Sequence, residues 1–273
     1  MGTRPVMRMI TPPQVPVISR PEVNTSTSSL FRIGTAGWSI PKTCAAAFGG
    51  EGTHLQRYAR VLPAVEIDTS FYRPHKPATY ARWAASVPPG FRFAVKLPRE
   101  ITHVRKLAGT EEPLGRFLGE VQALGSTLGP LLVQLPPSLG FDESAVGCFF
   151  DSLRARFDGP VVCEPRHATW FTDAVDWLLS RVQIARVGAD PARVPRAAVP
   201  GGWPGLTYRR LHGSPQMYYS AYTADVLAAI ARQMREMATS GREDWCIFDN
   251  TALGEATPNA LALFHKLSAG GEA

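Results

Sequence analysis

The sequence predicts a single (β/α)8 barrel of the TIM type with parallel strands. Three observations predict it. Eight short β-rich runs recur along the chain. Segments with helical periodicity lie between most of them, an alternation that calls for a parallel sheet covered by helices. The length, 273 residues of which 45% are apolar, suits one barrel of roughly 250 residues with a large core.

Residues 1–29 stand apart. They hold Pro5, Pro12, Pro13, Pro16, Pro21 and a Thr/Ser-rich run from Thr25 to Ser29, with no apolar period. They are expected to be a disordered tail, which leaves 30–273 as the barrel domain. The eight expected strands are Phe31–Thr35, Val65–Thr69, Phe91–Leu97, Leu131–Leu135, Val161–Glu164, Gln183–Val187, Leu206–Leu211 and Trp245–Asn250. Leu55, Tyr58, Ala59 and Leu62 fall on one helical face; so do Leu114, Phe117, Leu118 and Val121, and Val146, Phe149, Phe150 and Leu153. Asp142, Thr172, Thr223 and Thr257 stand where helix N-caps are wanted, the last followed by Pro258. The Pro/Gly-rich stretch from Asp190 to Gly205 reads as a long loop. A doubly wound open sheet is the competing architecture, but the first strand-to-helix turn, Gly34 to Trp38, is not a dinucleotide fingerprint.

The formal charge is +6, and the first 29 residues carry Arg4, Arg8 and Arg20 against Glu22, leaving +4 for the barrel. That mild excess fits a small anionic partner and falls short of a nucleic-acid footprint. Cys44, Cys148, Cys163 and Cys246 are too scattered for a metal knuckle or a redox pair, and Cys163 and Cys246 lie in apolar runs as core residues. No stretch approaches the roughly 18 apolar residues of a membrane span, and no signal-type apolar segment opens the chain. A cytoplasmic protein with no cofactor, no metal and no membrane partner is expected.

The strand ends are polar where parallel strands are usually apolar throughout. Side chains alternate along a strand, so with Val65 and Ile67 facing the helices, Glu66 and Asp68 face the axis. The same rule brings Lys96, Gln134, Glu164, Arg166, Arg210, His212 and Asn250 to the C-terminal mouth, where barrels carry their active sites. Glu66, Glu164 and His212 are the candidate acid/base groups. Lys96, His103, Arg166, His167, Trp170, Arg210 and Asn250 are the candidate substrate-binding groups. A blander reading has the same charges, Glu66 with Arg210 and Glu164 with Arg166 or Lys96, as ion pairs that fill the barrel.

At these strand ends the chain resembles the YecE-like family, domain of unknown function 72. The matching segments are "IGTAGWS", "VEIDTSFYR", "FAVKLPREITH", "QLPPS", "CEPRHATW", "RLHG" and "FDNTALGEATPNA", in matching order and spacing over residues 31–268. The resemblance implies a (β/α)8 barrel and no particular activity. Asp68 and Asp249 stand where the family often has Asn, which argues against either as an indispensable carboxylate. Pro165 replaces a usual apolar or aromatic residue.

Three functions compete. The first is an enzyme acting on an anionic or phosphorylated small molecule, with Lys96, Arg166 and Arg210 holding the anion and Glu66, Glu164 and His212 moving protons. The second is a metal-dependent phosphodiesterase or nucleic-acid repair enzyme, for which Glu66, Glu164, His212 and Asp249 would be ligands of the right kind. The third is a non-catalytic binder of nucleotides or single-stranded nucleic acid, with Trp38, Tyr72 and Trp170 stacking bases.

Overall fold

The computed structural model describes residues 30–238 and 242–269. The tail expected over residues 1–29 lies outside them. The strands are β1 (Phe31–Thr35), β2 (Ala64–Ile67), β3 (Arg92–Lys96), β4 (Leu128–Gln134), β5 (Val161–Glu164), β6 (Ile184–Arg186), β7 (Gly188–Asp190), a two-residue β8 (Gly201–Gly202), β9 (Thr207–Leu211) and β10 (Asp244–Phe248). β2 through β6 pair in sequence, all parallel. A second parallel ladder runs β1, β10, β9, β7.

Two seams join the ladders into a TIM-type barrel-like ring. At one, Ala36 bridges Glu66 and the Gly37 N–H donates to the Glu66 carbonyl at 2.8 Å. A Cβ on Gly34 would fall 2.2 Å from the Ala64 carbonyl oxygen, so β1 and β2 come this close only with glycine there. At the other seam the sixth expected strand divides. Ile184–Arg186 pairs with β5, and after Val187 the continuation Gly188–Asp190 pairs with β9. The strand therefore runs three residues beyond its expected end. The loop expected from Asp190 to Gly205 holds a short helical turn, Pro195–Ala198, and β8, which pairs antiparallel with β6.

Helices alternate with the strands: His54–Ala59, Pro77–Ala85, Glu111–Val121, Glu143–Arg154, Asp173–Arg181, Ala224–Ala238 and Ala256–Ser268. Asp142, Thr172 and Thr223 accept from backbone N–H groups of Ala145, Val175 and Val226, as N-caps do. Thr257 does not cap. Its helix begins at Ala256, and the buried Thr257 hydroxyl donates to the Ser39 carbonyl at 3.1 Å.

Two apolar layers result. The outer one packs strands against helices and includes Cys163 and Cys246. The inner one fills the barrel with Ala64, Ala94, Leu132, Val162, Ala185, Tyr208, Trp245 and Ile247. Small side chains on β2, β3 and β6 make room for Tyr208 and Trp245, stacked with centroids 5.7 Å apart. This stack fixes which residues of β9 and β10 point inward, and so what lies above them.

Candidate functional site

Above the inner layer, toward the C-terminal ends of the strands, the side chains turn polar. Glu66, Glu164, Arg210 and His212 are all fully enclosed, at 0% exposure. Such groups are costly in a core unless paired, and each of them is. Arg210 uses all three nitrogens. Nε and Nη2 donate to Glu66 at 3.1 and 2.7 Å, Nη1 to Glu164 at 2.7 Å, and Nη2 also to Asp249 at 3.0 Å. The Tyr208 hydroxyl donates to the second oxygen of Glu66 at 2.9 Å.

His212 lies between two carboxylates. Nδ1 is 3.0 Å from Asp249 Oδ2 and Nε2 is 3.0 Å from Glu164 Oε1. Burial alone would discharge the ring, but Glu164 and Asp249 outweigh it and raise its pKa. Burial likewise pushes Glu164 up, yet Arg210, His212 and Arg166 together hold its carboxyl well below the usual range. Asp249 is lowered for the same reason, with Arg210 and His212 overcoming burial. Glu66 goes the other way. Burial exceeds the pull of Arg210, and its pKa is raised.

Arg166 and Lys96 form the upper edge. Arg166 Nη1 donates to Glu164 Oε1 at 2.5 Å and lies 3.1 Å from His212 Nε2. Its Nη2 meets only the Met217 sulfur, at 3.8 Å, and its Nε has no acceptor among the described residues. Lys96 pairs with Asp68 at 2.7 Å and sits 4.3 Å over the Phe71 ring. With His212 protonated, Lys96, Arg166, Arg210 and His212 face Glu66, Asp68, Glu164 and Asp249.

The structure thus brings together Glu66, Glu164, His212, Arg166 and Arg210, with Lys96 beside them. Asn250 is placed elsewhere, which corrects its expected position on the axis. Its Nδ2 donates to the Ser220 carbonyl and to Asn259 at 3.0 and 2.9 Å, tying two loops together. The inward residues of β10 are Trp245 and Ile247, and the next in phase is Asp249.

His167 and Trp170 take structural positions. His167 Nδ1 accepts from the Thr169 N–H at 3.3 Å and caps a short turn. Trp170 is enclosed, donates to the Leu139 carbonyl at 2.9 Å and packs on Phe141. His103 sits edge-on to Phe71 at 4.8 Å, with Nδ1 2.9 Å from the Thr102 hydroxyl. Burial and the charges of Lys96 and Arg99 lower its pKa, so it lies at the rim as a neutral ring. Gln134 is half-buried at the end of β4. Two site residues, Tyr208 and Tyr218, escaped the sequence reading, and Asp249 entered it only as a ligand in the metal-dependent alternative. Tyr208 and Asp249 were findable from the large aromatics in β9 and β10, since Trp245 and Tyr208 fit only inside.

Among the described residues, no three His, Cys, Asp or Glu side chains form a group able to hold a metal ion. The Arg210 guanidinium occupies the space between Glu66, Glu164 and Asp249 where an ion would sit. No helix of the described residues is long and apolar enough to cross a membrane.

Comparison with known proteins agrees with this architecture. The UPF0759 protein YecE of Escherichia coli is 34% identical over 143 residues, 52% of this chain and 50% of its own. The chain spans about half the length of the curated relatives it matches there. A crystal structure of a DUF72 family protein from Enterococcus faecalis superposes with a TM-score of 0.73 at 24% identity, covering 87% of this chain and 95% of that one. The 3-keto-D-glucoside 4-epimerase YcjR of Escherichia coli shares the fold more distantly, with a TM-score of 0.53 at 14% identity over 86% of this chain and 98% of its own. The model of one family, described as protein of unknown function DUF72, matches residues 32–273, and the chain belongs to that family.

Proposed function

We propose that the chain is an enzyme that binds a small anionic molecule at the C-terminal mouth and moves a proton on it. One observation carries this reading: the spare edge of Arg166. The carboxylates below have their oxygens engaged by Arg210, His212 and Tyr208. Arg166, by contrast, keeps Nε and Nη2 free of any oxygen acceptor among the described residues, and Lys96 has N–H bonds beyond the one facing Asp68. A planar guanidinium edge suits the oxygens of a phosphate or carboxylate.

Arg210 is then a positioning residue, since it is enclosed and every nitrogen is taken. Glu66 and Glu164 hold it, and Glu164 also fixes Arg166 and His212. The proton for chemistry sits on His212, between Glu164 inside and Asp249 toward the mouth. The Asp249 side chain keeps 14% of its surface exposed, and its Oδ1 is not engaged by Arg210 or His212. His212 is the group that would give or take a substrate proton, with Asp249 holding its ring.

Inorganic phosphate should raise the melting temperature of the full chain, because a ligand that binds only the folded state stabilises it. Arg166→Met should abolish that gain. Absence of any gain with phosphate and with small carboxylates would sink the anion reading. Stoichiometric zinc or manganese in the purified protein would move the metal-dependent phosphodiesterase to first place.

A further inference from the structure

The loop that follows β9 folds back over the charged cluster. Its residue Tyr218 has φ +70°, a left-handed conformation that a bulky non-glycine residue rarely adopts. Two backbone bonds hold it there. Its N–H donates to the His212 carbonyl at 2.5 Å, and its own carbonyl accepts from the Ala252 N–H at 3.1 Å. The ring stands edge-on to the His212 imidazole, with centroids 5.8 Å apart at 89°. Next to it, Met217 covers Arg166 at 3.8 Å. The loop therefore sets Tyr218 against His212, whose Nε2 lies 3.1 Å from Arg166, and sets Met217 against Arg166 itself.

The side chain gains little from this as packing. It is 40% exposed, and its hydroxyl has no hydrogen-bond partner among the described residues. Strained backbone that persists without a packing reward is found where a ligand uses it. We infer that Tyr218 is a substrate-contacting residue, whose phenol donates a hydrogen bond to an oxygen of the anion held by Arg166. This rests on the anion reading above and adds to it the third donor of the site.

Two further facts fit. The phenol stays protonated through the neutral range, because partial burial and the nearby charge of Asp249 raise its pKa. Arg166 itself keeps only 7% of its surface exposed, so an oxygen bound to it would be partly shielded from water, which strengthens a charge-assisted bond.

Tyr218→Phe keeps the ring and removes only the hydroxyl. Phosphate affinity of the full chain, measured by titration calorimetry, should fall about tenfold in this variant, the loss expected for a hydrogen bond to a charged group. Arg166→Met should weaken it further. Equal phosphate affinity in wild type and Tyr218→Phe, with Arg166→Met impaired, would overturn the role of Tyr218 and leave the anion site standing. No phosphate binding to the wild type would overturn both.

Discussion

Arg209 and Arg210 are neighbours on one strand, both buried, and they face opposite sides of the barrel wall. Arg209 points outward, beneath the helix Ala224–Ala238. It has one carboxylate, Asp244 Oδ1 at 2.5 Å, and otherwise the Met237 sulfur. Asp244 keeps its second oxygen without a partner, and burial pushes its pKa up to about 7 in spite of Arg209. Arg210 points inward and has three carboxylates, two of which are held well ionised. The two arginines differ in the number of groups that share the cost of burial. A pair with few neighbours leaves its acid close to neutralising itself. A closed network holds two of its three carboxylates low and fixes the groups bonded to it.

The largest expected effect tests the inner network. Arg210→Met strands Glu66, Glu164 and Asp249 without their common cation. Removing one partner from a buried ionic cluster typically costs about 3–5 kcal/mol, and urea unfolding near neutral pH should read a loss of that size. Combined with Glu164→Gln, the loss should depart from additivity by about 1 kcal/mol or more. Strict additivity would mean that the two side chains do not share an interaction, and the contrast between the two arginines would dissolve.

Arg209→Met should cost less, about 1–3 kcal/mol, the usual penalty for leaving one buried partner unsatisfied. It should also depend on pH in a way Arg210→Met does not. Below about pH 6, Asp244 escapes by taking up a proton, so little charge is stranded. Above about pH 7 the carboxylate of the wild type is ionised and leans on Arg209, so the cost of the substitution grows. A cost that is flat with pH, or one as large as that of Arg210→Met, would remove the distinction.

Much of the inner network was legible because it sits on strands, where period-2 alternation holds. Glu66, Lys96, Glu164, Arg210 and His212 all follow it from the apolar residues of their own strands. Asn250 was placed on the axis instead of Asp249 because the last strand reads Trp-Cys-Ile-Phe, apolar at every position, and offers no polar mark of phase. The phase comes from size, since Trp245 needs the barrel interior; even there a Cβ on Gly129 would fall 2.8 Å from its ring. Tyr218, the cap of His167 and the tie made by Asn250 were out of reach for a different reason. They belong to loops, whose paths depend on contacts between segments far apart in sequence. The charge of Arg209 was visible, but the acid it pairs with, 35 positions away, was not.

The last effect isolates the acid itself. Asp244 holds its proton more tightly in the folded chain, at about 7 against an ordinary 3.8. The stability contributed by that proton is complete below about pH 4 and is lost as pH rises through about 7. Asparagine has no such proton. Asp244→Asn should therefore flatten the pH profile of stability, and the wild type should fall relative to it by about 2–3 kcal/mol between about pH 5 and about pH 8. The direction matters more than the size. Glu164 and Asp249, beside Arg210, are held low, so a protein whose pH dependence came from them would gain stability as pH rises from acid toward neutral. Parallel profiles for wild type and Asp244→Asn would show that Asp244 is as well satisfied as Glu164. The outer pair would then be another closed network, and the number of partners would no longer explain why one arginine organises a site and its neighbour does not.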